Sequence, residues 1–184
     1  MTLNIGDKAV DYNLKNANEE IGGQSLSLEQ STSDNGLVLV FECNHCPYVV
    51  ASVDRMNKMA EFCKSKQIGF VGINSNDASV YANDSFEHMV KRAKNGMPYS
   101  YLYDETQEVA HAYGAKRTPE FFLFNSEHTL VYRGRMDDSP RDPTQVSTSE
   151  LKDAIDAMLD GQSPDVSETE SIGCSVKWLS LIHI

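Results

Sequence analysis

The chain has 184 residues, 40 % hydrophobic and 23 % charged, a composition that suits one globular domain able to bury its own core. A formal net charge of −11, with no cluster of Lys and Arg, excludes nucleic acid and anionic membrane as natural partners. Four cysteines are not a disulfide framework at this length, so reduced thiols and a cytoplasmic location are expected.

The start, MTLNIGDKAVDYNLKN, lacks the basic segment and apolar stretch of a secretory signal, and the longest apolar run, Leu37 to Phe41, is too short to span a bilayer. Residues 2–30 alternate weakly around Gly22 and Gly23 and predict a short N-terminal hairpin or pair of edge strands. GLVLVF at 36–41 is continuously apolar, as a strand covered on both faces is. A helix follows from Pro47, with Val49, Val53, Met56, Ala60 and Cys63 on one stripe. IGFVGI at 68–73 is a second buried strand, which completes a right-handed parallel crossover.

Capping boxes at Asp84–Glu87, Asp104–Gln107 and Ser147–Glu150 predict three further helices, because the first side chain of each accepts a free helix N–H and the fourth reaches back. Phe86, Met89, Val90 and Ala93 form the inner face of the first, which belongs to an inserted helical segment over roughly residues 77–103. Leu151, Ala154, Ile155, Met158 and Leu159 form that of the last. FFLF at 121–124 and LVYRG at 130–134 flank a polar turn at 125–128 and predict an antiparallel hairpin. The order is therefore β-α-β, the inserted segment, then α-β-β-α: a mixed sheet with helices on both faces. The domain is expected over residues 1–161, with a polar tail at 162–178. The last residues, LSLIHI at 179–184, read as the in-frame translation of a sequencing-adapter end and are expected to be an artefact.

The chemistry concentrates in FECNHCPYVV, where Cys43 and Cys46 lie at the strand-to-helix junction. A helix N-terminus offers free N–H groups and about half a positive charge, which favours a thiolate, and a cationic His45 would add to it. A fall of the Cys43 pKa from about 8.5 to about 6 raises the thiolate fraction about 30-fold but lowers nucleophilicity about 15-fold. The same fall favours the reduced form by about 1.4 kcal/mol, or about 30 mV, so His45 is expected to set redox poise more than rate. Glu42 beside Cys43 would act in the opposite sense. Zinc needs about four N/S ligands, and neither a second CxxC nor a convergence of His88, His111 and His128 is present, so no metal is expected. Inert core cysteines are the remaining alternative to a redox dithiol. Cys63, on the apolar helix stripe, reads as a small buried hydrophobe.

CNHCPYV, LYDETQEVAHAYGAKRTPEFFLFN, LVYRGRMDDS and SIGCSVKW together resemble the peroxiredoxin-like, thioredoxin-fold proteins of the redoxin superfamily (alkyl hydroperoxide reductase C and thiol-specific antioxidant proteins), within a CNHCP subgroup. The resemblance implies an α/β thioredoxin-like fold: a central mixed sheet flanked by helices, with an N-terminal strand extension and an inserted helix. It places Thr118-Pro119 at the cis-proline that faces the dithiol and shapes a substrate groove. It aligns Cys43 with the attacking cysteine of thioredoxins and Cys46 with the peroxidatic cysteine of peroxiredoxins. Cys43 and Leu39 stand where peroxiredoxins carry a hydroxyl residue and a proline, and Arg117 is either a stand-in for the family's arginine or a solvated loop charge. Cys174 is either a resolving thiol that folds back toward residues 43–46 or a packed anchor of the tail, with packing the simpler reading.

The expected activity is thiol–disulfide exchange with Cys43 attacking and Cys46 resolving. A thiol peroxidase with Cys46 peroxidatic and a non-enzymatic redox sensor are the alternatives. No cofactor is implied. Partners would be a disulfide-containing protein or a small thiol or peroxide, with a thioredoxin- or glutathione-type reductant.

Overall fold

A computed structural model describes residues 2–180; Leu181 to Ile184, most of the suspected adapter segment, lie outside the described residues. The strands are β1 (Asn13–Asn16), β2 (Ser25–Ser27), β3 (Leu37–Phe41), β4 (Gly69–Asn74), β5 (Ser100–Tyr103), β6 (Arg117–Thr118), β7 (Glu120–Phe124), β8 (Leu130–Gly134) and β9 (Cys174–Ser175). The helices are α1 (Leu28–Ser31), α2 (Pro47–Ser65), α3 (Phe86–Ala93), α4 (Glu108–Tyr113) and α5 (Glu150–Leu159).

Seven strands form one sheet in the order β2-β1-β5-β4-β3-β7-β8. β3, β4 and β5 run parallel, whereas β1 and β7 are antiparallel to β5 and β3. The expected hairpins β1–β2 and β7–β8 are both present. All five side chains of β3 and of β7 are buried, but they divide between two cores because successive residues face opposite sides of the sheet. Val38, Val40, Phe121 and Leu123 pack with α2, α3 and α5. Leu37, Leu39, Phe41, Phe122 and Phe124 pack with α4 and the N-terminal segment. Each large apolar side chain so buried contributes about 1.5–3 kcal/mol relative to exposure.

The sequence reading departs from the fold at β5. Ser100–Tyr103 was expected inside a helical insertion, but it forms a strand parallel to β4. Four residues, three of them Ser or Tyr, give too short an alternation to read as a strand. On α2 the stripe holds except that Ser52 is buried and Val53 only partly so. The Ser52 hydroxyl is satisfied by donating to the Tyr48 and Pro140 carbonyls.

Each expected capping box is also remade. Ser85, not Asp84, caps α3, because the Asp84 carboxylate is drawn to the dithiol loop. Asp104 does cap α4, but from outside it, by accepting the Val109 and Ala110 N–H groups. Glu150 turns to Arg135 rather than back along α5.

The tail does not trail away. It bonds to β8 through Ser167 and Thr169, forms the two-residue ladder β9–β6, and stacks Trp178 on His111 with ring centroids 4.3 Å apart.

Candidate active site

Two adjacent strands end at the site. The β3–β7 register sets Phe41 opposite Glu120, so the Glu42-Cys43 turn leaves the sheet beside the Thr118-Pro119 turn that enters it. The Thr118–Pro119 peptide is cis. Glu120 holds that turn by accepting the Lys116 and Arg117 N–H groups on one oxygen and the Arg133 guanidinium, at 2.8 Å, on the other.

Cys46 is the N-cap of α2 and Pro47 occupies its first turn, where a missing N–H costs nothing. The sequence places the dithiol at the mouth of a long helix, and there it lies. It is not open, however: Cys43 is 1 % and Cys46 0 % exposed. The physical reason is the pair of segments laid across them, the Thr118-Pro119 turn and the tail strand β9. Cys43 Sγ is 3.6 Å from the Thr118 hydroxyl, and Cys46 Sγ is 3.4 Å from the Thr118 carbonyl oxygen.

The two thiols are not equivalent. Cys46 is pushed down to about 4, first by a hydrogen bond from the Cys43 thiol, against the opposing effect of burial. A hydrogen bond from Cys174 and backbone N–H groups of Val49 and Cys174 add to the lowering. Cys43 is pushed well above the ordinary thiol value, because it gives its proton toward Cys46, is desolvated, and feels the Asp84 carboxylate. Cys46 has the Val49 N–H of the first helical turn and Cys174 beside it, whereas Cys43 has the Cys46 N–H and the Thr118 hydroxyl. The Cys46 thiol is also placed to donate to the Thr118 carbonyl oxygen, a contact that only its protonated form makes.

His45 and Glu42 both turn to partners other than the sulfurs. His45 turns Nδ1 to Asp84 at 2.6 Å and stacks on Tyr81, and the charge that reaches Cys43 is that of Asp84. Glu42, fully buried, points away from the sulfurs to the Tyr99 hydroxyl at 2.8 Å and to the Arg92 guanidinium at 2.5 Å. That last contact is close but out of line for a hydrogen bond. Gly72 leaves the space for this carboxylate, since a Cβ there would lie 2.3 Å from Glu42 Oε2. Arg117 reaches toward the Gly173 carbonyl in the tail, not toward a sulfur.

Asp84 is the site residue that sequence reading missed, because its position before Ser85 made it look like a helix cap. It accepts the Asn44 N–H at 2.8 Å and the Asn76 amide at 2.9 Å, and so holds the dithiol loop against β4. Cys43, His45 and Asp84 offer donor atoms within 4.8 Å of one another, a set able to hold a thiophilic metal. Both Asp84 oxygens are already taken by these internal partners, so a metal would have to displace them.

A central mixed sheet, helices on both faces and a dithiol opposite a cis-proline define a thioredoxin-like thiol redox protein. Residues 5–155 match the Redoxin family, and the chain belongs to it. It is 41 % identical to an uncharacterized conserved protein from Geobacillus kaustophilus, covering 96 % of this chain and 93 % of that one with a TM-score of 0.87. It is 35 % identical to a hypothetical protein from Sinorhizobium meliloti 1021, covering 98 % and 97 % of the two chains with a TM-score of 0.88. Peroxidoxin BcpB from Mycobacterium tuberculosis shares the fold at 20 % identity and a TM-score of 0.57, over 86 % of this chain and 93 % of that one. No curated protein matches. Among the described residues no helix is long and apolar enough to cross a membrane.

Proposed function

We propose that this redoxin is a cytoplasmic thiol–disulfide oxidoreductase in which Cys46 is the reacting thiolate and Cys43 closes the protein disulfide. The observation that carries the reading is the position of Cys46 as N-cap of α2, with Cys174 brought alongside by its pairing with Thr118. The Cys46 thiolate attacks one sulfur of a substrate disulfide and the other leaves as a thiolate. Cys43 then loses its proton, attacks Cys46 Sγ and expels the second substrate sulfur. Resolution is intramolecular, because both sulfurs lie against the same residue, Thr118. Thr118 and Pro119 form the wall along which the substrate lies, and a thioredoxin- or glutathione-type thiol returns the pair to the reduced state.

Disulfide reduction assayed in variants tests this. Cys46→Ser abolishes turnover and forms no mixed disulfide, whereas Cys43→Ser/Cys174→Ser, which lacks both neighbouring thiols, accumulates the mixed disulfide on Cys46. A mixed disulfide trapped on Cys43 in Cys46→Ser, with turnover retained, would restore the opposite assignment.

A second reading is favoured by the burial of Cys46, which a small hydroperoxide passes more readily than a protein chain does. Peroxide would oxidise Cys46 to a sulfenic acid, and Cys43 would condense with it, releasing water. Trapping of sulfenic acid on Cys46 in Cys43→Ser/Cys174→Ser under peroxide distinguishes the two. Disulfide exchange is preferred because the Thr118 hydroxyl lies on Cys43, and Arg117 lies on the tail, where peroxide chemistry would want both at Cys46.

A further inference from the structure

The tail presents a third sulfur to the site. β9 is antiparallel to β6 with Cys174 opposite Thr118, the residue that also touches both Cys43 and Cys46. The Cys174 side chain packs against the core cluster containing both site cysteines while remaining partly exposed. Anchors on both sides fix the strand. The Val176 N–H donates to the Lys116 carbonyl, the Lys177 N–H donates to Asn76, and Trp178 stacks on His111. Gly173 passes so close to the Thr118 carbonyl that a Cβ would lie 2.1 Å from its oxygen. The three sulfurs thus run from buried Cys43 through Cys46 to the surface at Cys174.

We propose that Cys174 is the entry thiol through which an external thiol reductant recharges the buried pair, by way of a Cys46–Cys174 disulfide. The inference rests on the reading that the oxidised protein holds a Cys43–Cys46 disulfide. Cys174 loses its proton and attacks Cys46 Sγ. The Cys46–Cys174 bond forms, the Cys43–Cys46 bond breaks, and Cys43 leaves as a thiolate and takes up a proton. An external thiol then attacks the accessible Cys174 Sγ and releases Cys46. A second equivalent of the external thiol frees Cys174 and leaves as a disulfide. In total one protein disulfide and two thiols become two protein thiols and one external disulfide.

The geometry favours attack at Cys174 on two counts. Cys174 is partly exposed where Cys43 and Cys46 are buried, and the departing Cys46 is stabilised as a thiolate, which makes it the faster leaving group. A docked strand also spares the exchange any search, so the step is intramolecular. The strand pairing presents Cys174 as a bound substrate segment would be presented, but from within the same chain.

Two measurements test this on the full chain. In the first, Cys43→Ser is treated at low protein concentration with oxidised glutathione, and its bonds are mapped without reduction. A Cys46–Cys174 bridge within one chain is expected, with Cys63 free. Glutathione retained on Cys46 beside a free Cys174, or a bridge between two chains, overturns the proposal. In the second, the Cys43–Cys46 disulfide is formed in wild type and in Cys174→Ser, and its reduction by glutathione is timed. Cys174→Ser is expected to be slower by about tenfold or more. An equal or faster rate overturns the proposal, since the tail would then be only a cover. Adding Gly173→Val to Cys43→Ser, which unseats β9, is expected to abolish the bridge; a bridge formed at an unchanged rate means that the docked strand does not present Cys174. Should wild type fail to form the Cys43–Cys46 disulfide at all, it is the proposed function that falls, independently of the tail.

Discussion

The Arg92 guanidinium joins the buried Glu42 carboxylate to the backbone carbonyl of Cys43, 3.2 Å from Nη1. One side chain thus neutralises the acid beside the dithiol and holds the first cysteine's peptide. Arg92→Met removes both contacts and leaves a fully buried charge shared only with Tyr99. The loss of unfolding free energy is expected to be about 3–5 kcal/mol. The double variant Glu42→Gln/Arg92→Met is expected to recover most of it, because the stranded charge is gone. Denaturant titration of the two variants checks this; equal destabilisation of both would mean that the pair's charge is not what matters.

The lowered Cys46 thiol predicts a pH signature. Ultraviolet thiolate absorbance of the reduced protein is expected to titrate near about 4 and to be missing in Cys46→Ser. In Cys43→Ser the midpoint moves upward toward the ordinary value of 9.0, because the largest lowering contact has been removed. A folded pKa below the unfolded one stabilises the fold fully above the unfolded value, and that stabilisation is lost as pH falls through the folded value. Reduced wild type should therefore gain stability relative to Cys46→Ser as pH rises from about 4 toward 9.0. A flat difference over that window would contradict the assignment.

Asp84 raises the Cys43 thiol through its charge, after the Cys46 contact and burial. Asp84→Asn in a Cys46→Ser background is expected to lower the Cys43 titration midpoint relative to Cys46→Ser alone. It also weakens the contacts to Asn44, Asn76 and His45, at a cost of about 1–3 kcal/mol. Rates of thiol alkylation against pH read the first effect, and thermal unfolding reads the second.

Glu150 takes both forks of Arg135, at 2.9 Å each, and the Thr148 hydroxyl, and its carboxyl lies below the usual value first because of the Arg135 hydrogen bonds. Arg135 is partly exposed, so Glu150→Gln is expected to cost only about 1 kcal/mol near neutral pH. The contribution is present above the unfolded value of 4.5 and is lost as pH falls through the lower folded one. Stability curves of variant and wild type should therefore converge in acid.

What the sequence disclosed follows from range. β3 and β7 were legible because burial on both faces demands an unbroken apolar run, and the dithiol was legible because CxxC before a helix is a local pattern. β5 was not, since its tyrosines and Ser100 carry no run. Asp84 reaches Asn44 across 40 residues and Arg92 reaches Cys43 across 49, so neither shows in any window of sequence. The groups that set the two thiols apart escape any sequence window for the same reason: Cys174 comes from the far end of the chain, and Asp84 lies 41 residues beyond Cys43.

The ladder that sets Phe41 against Glu120 runs for five residue pairs through the middle of the sheet, whereas β9 is tied to β6 by two. Sulfur pair and proline turn are therefore jaws cast in one rigid frame, whose spacing is indifferent to events at the surface. The strand that shuts them stands outside that frame, held by its two ladder pairs and by the contacts of Val176, Lys177 and Trp178.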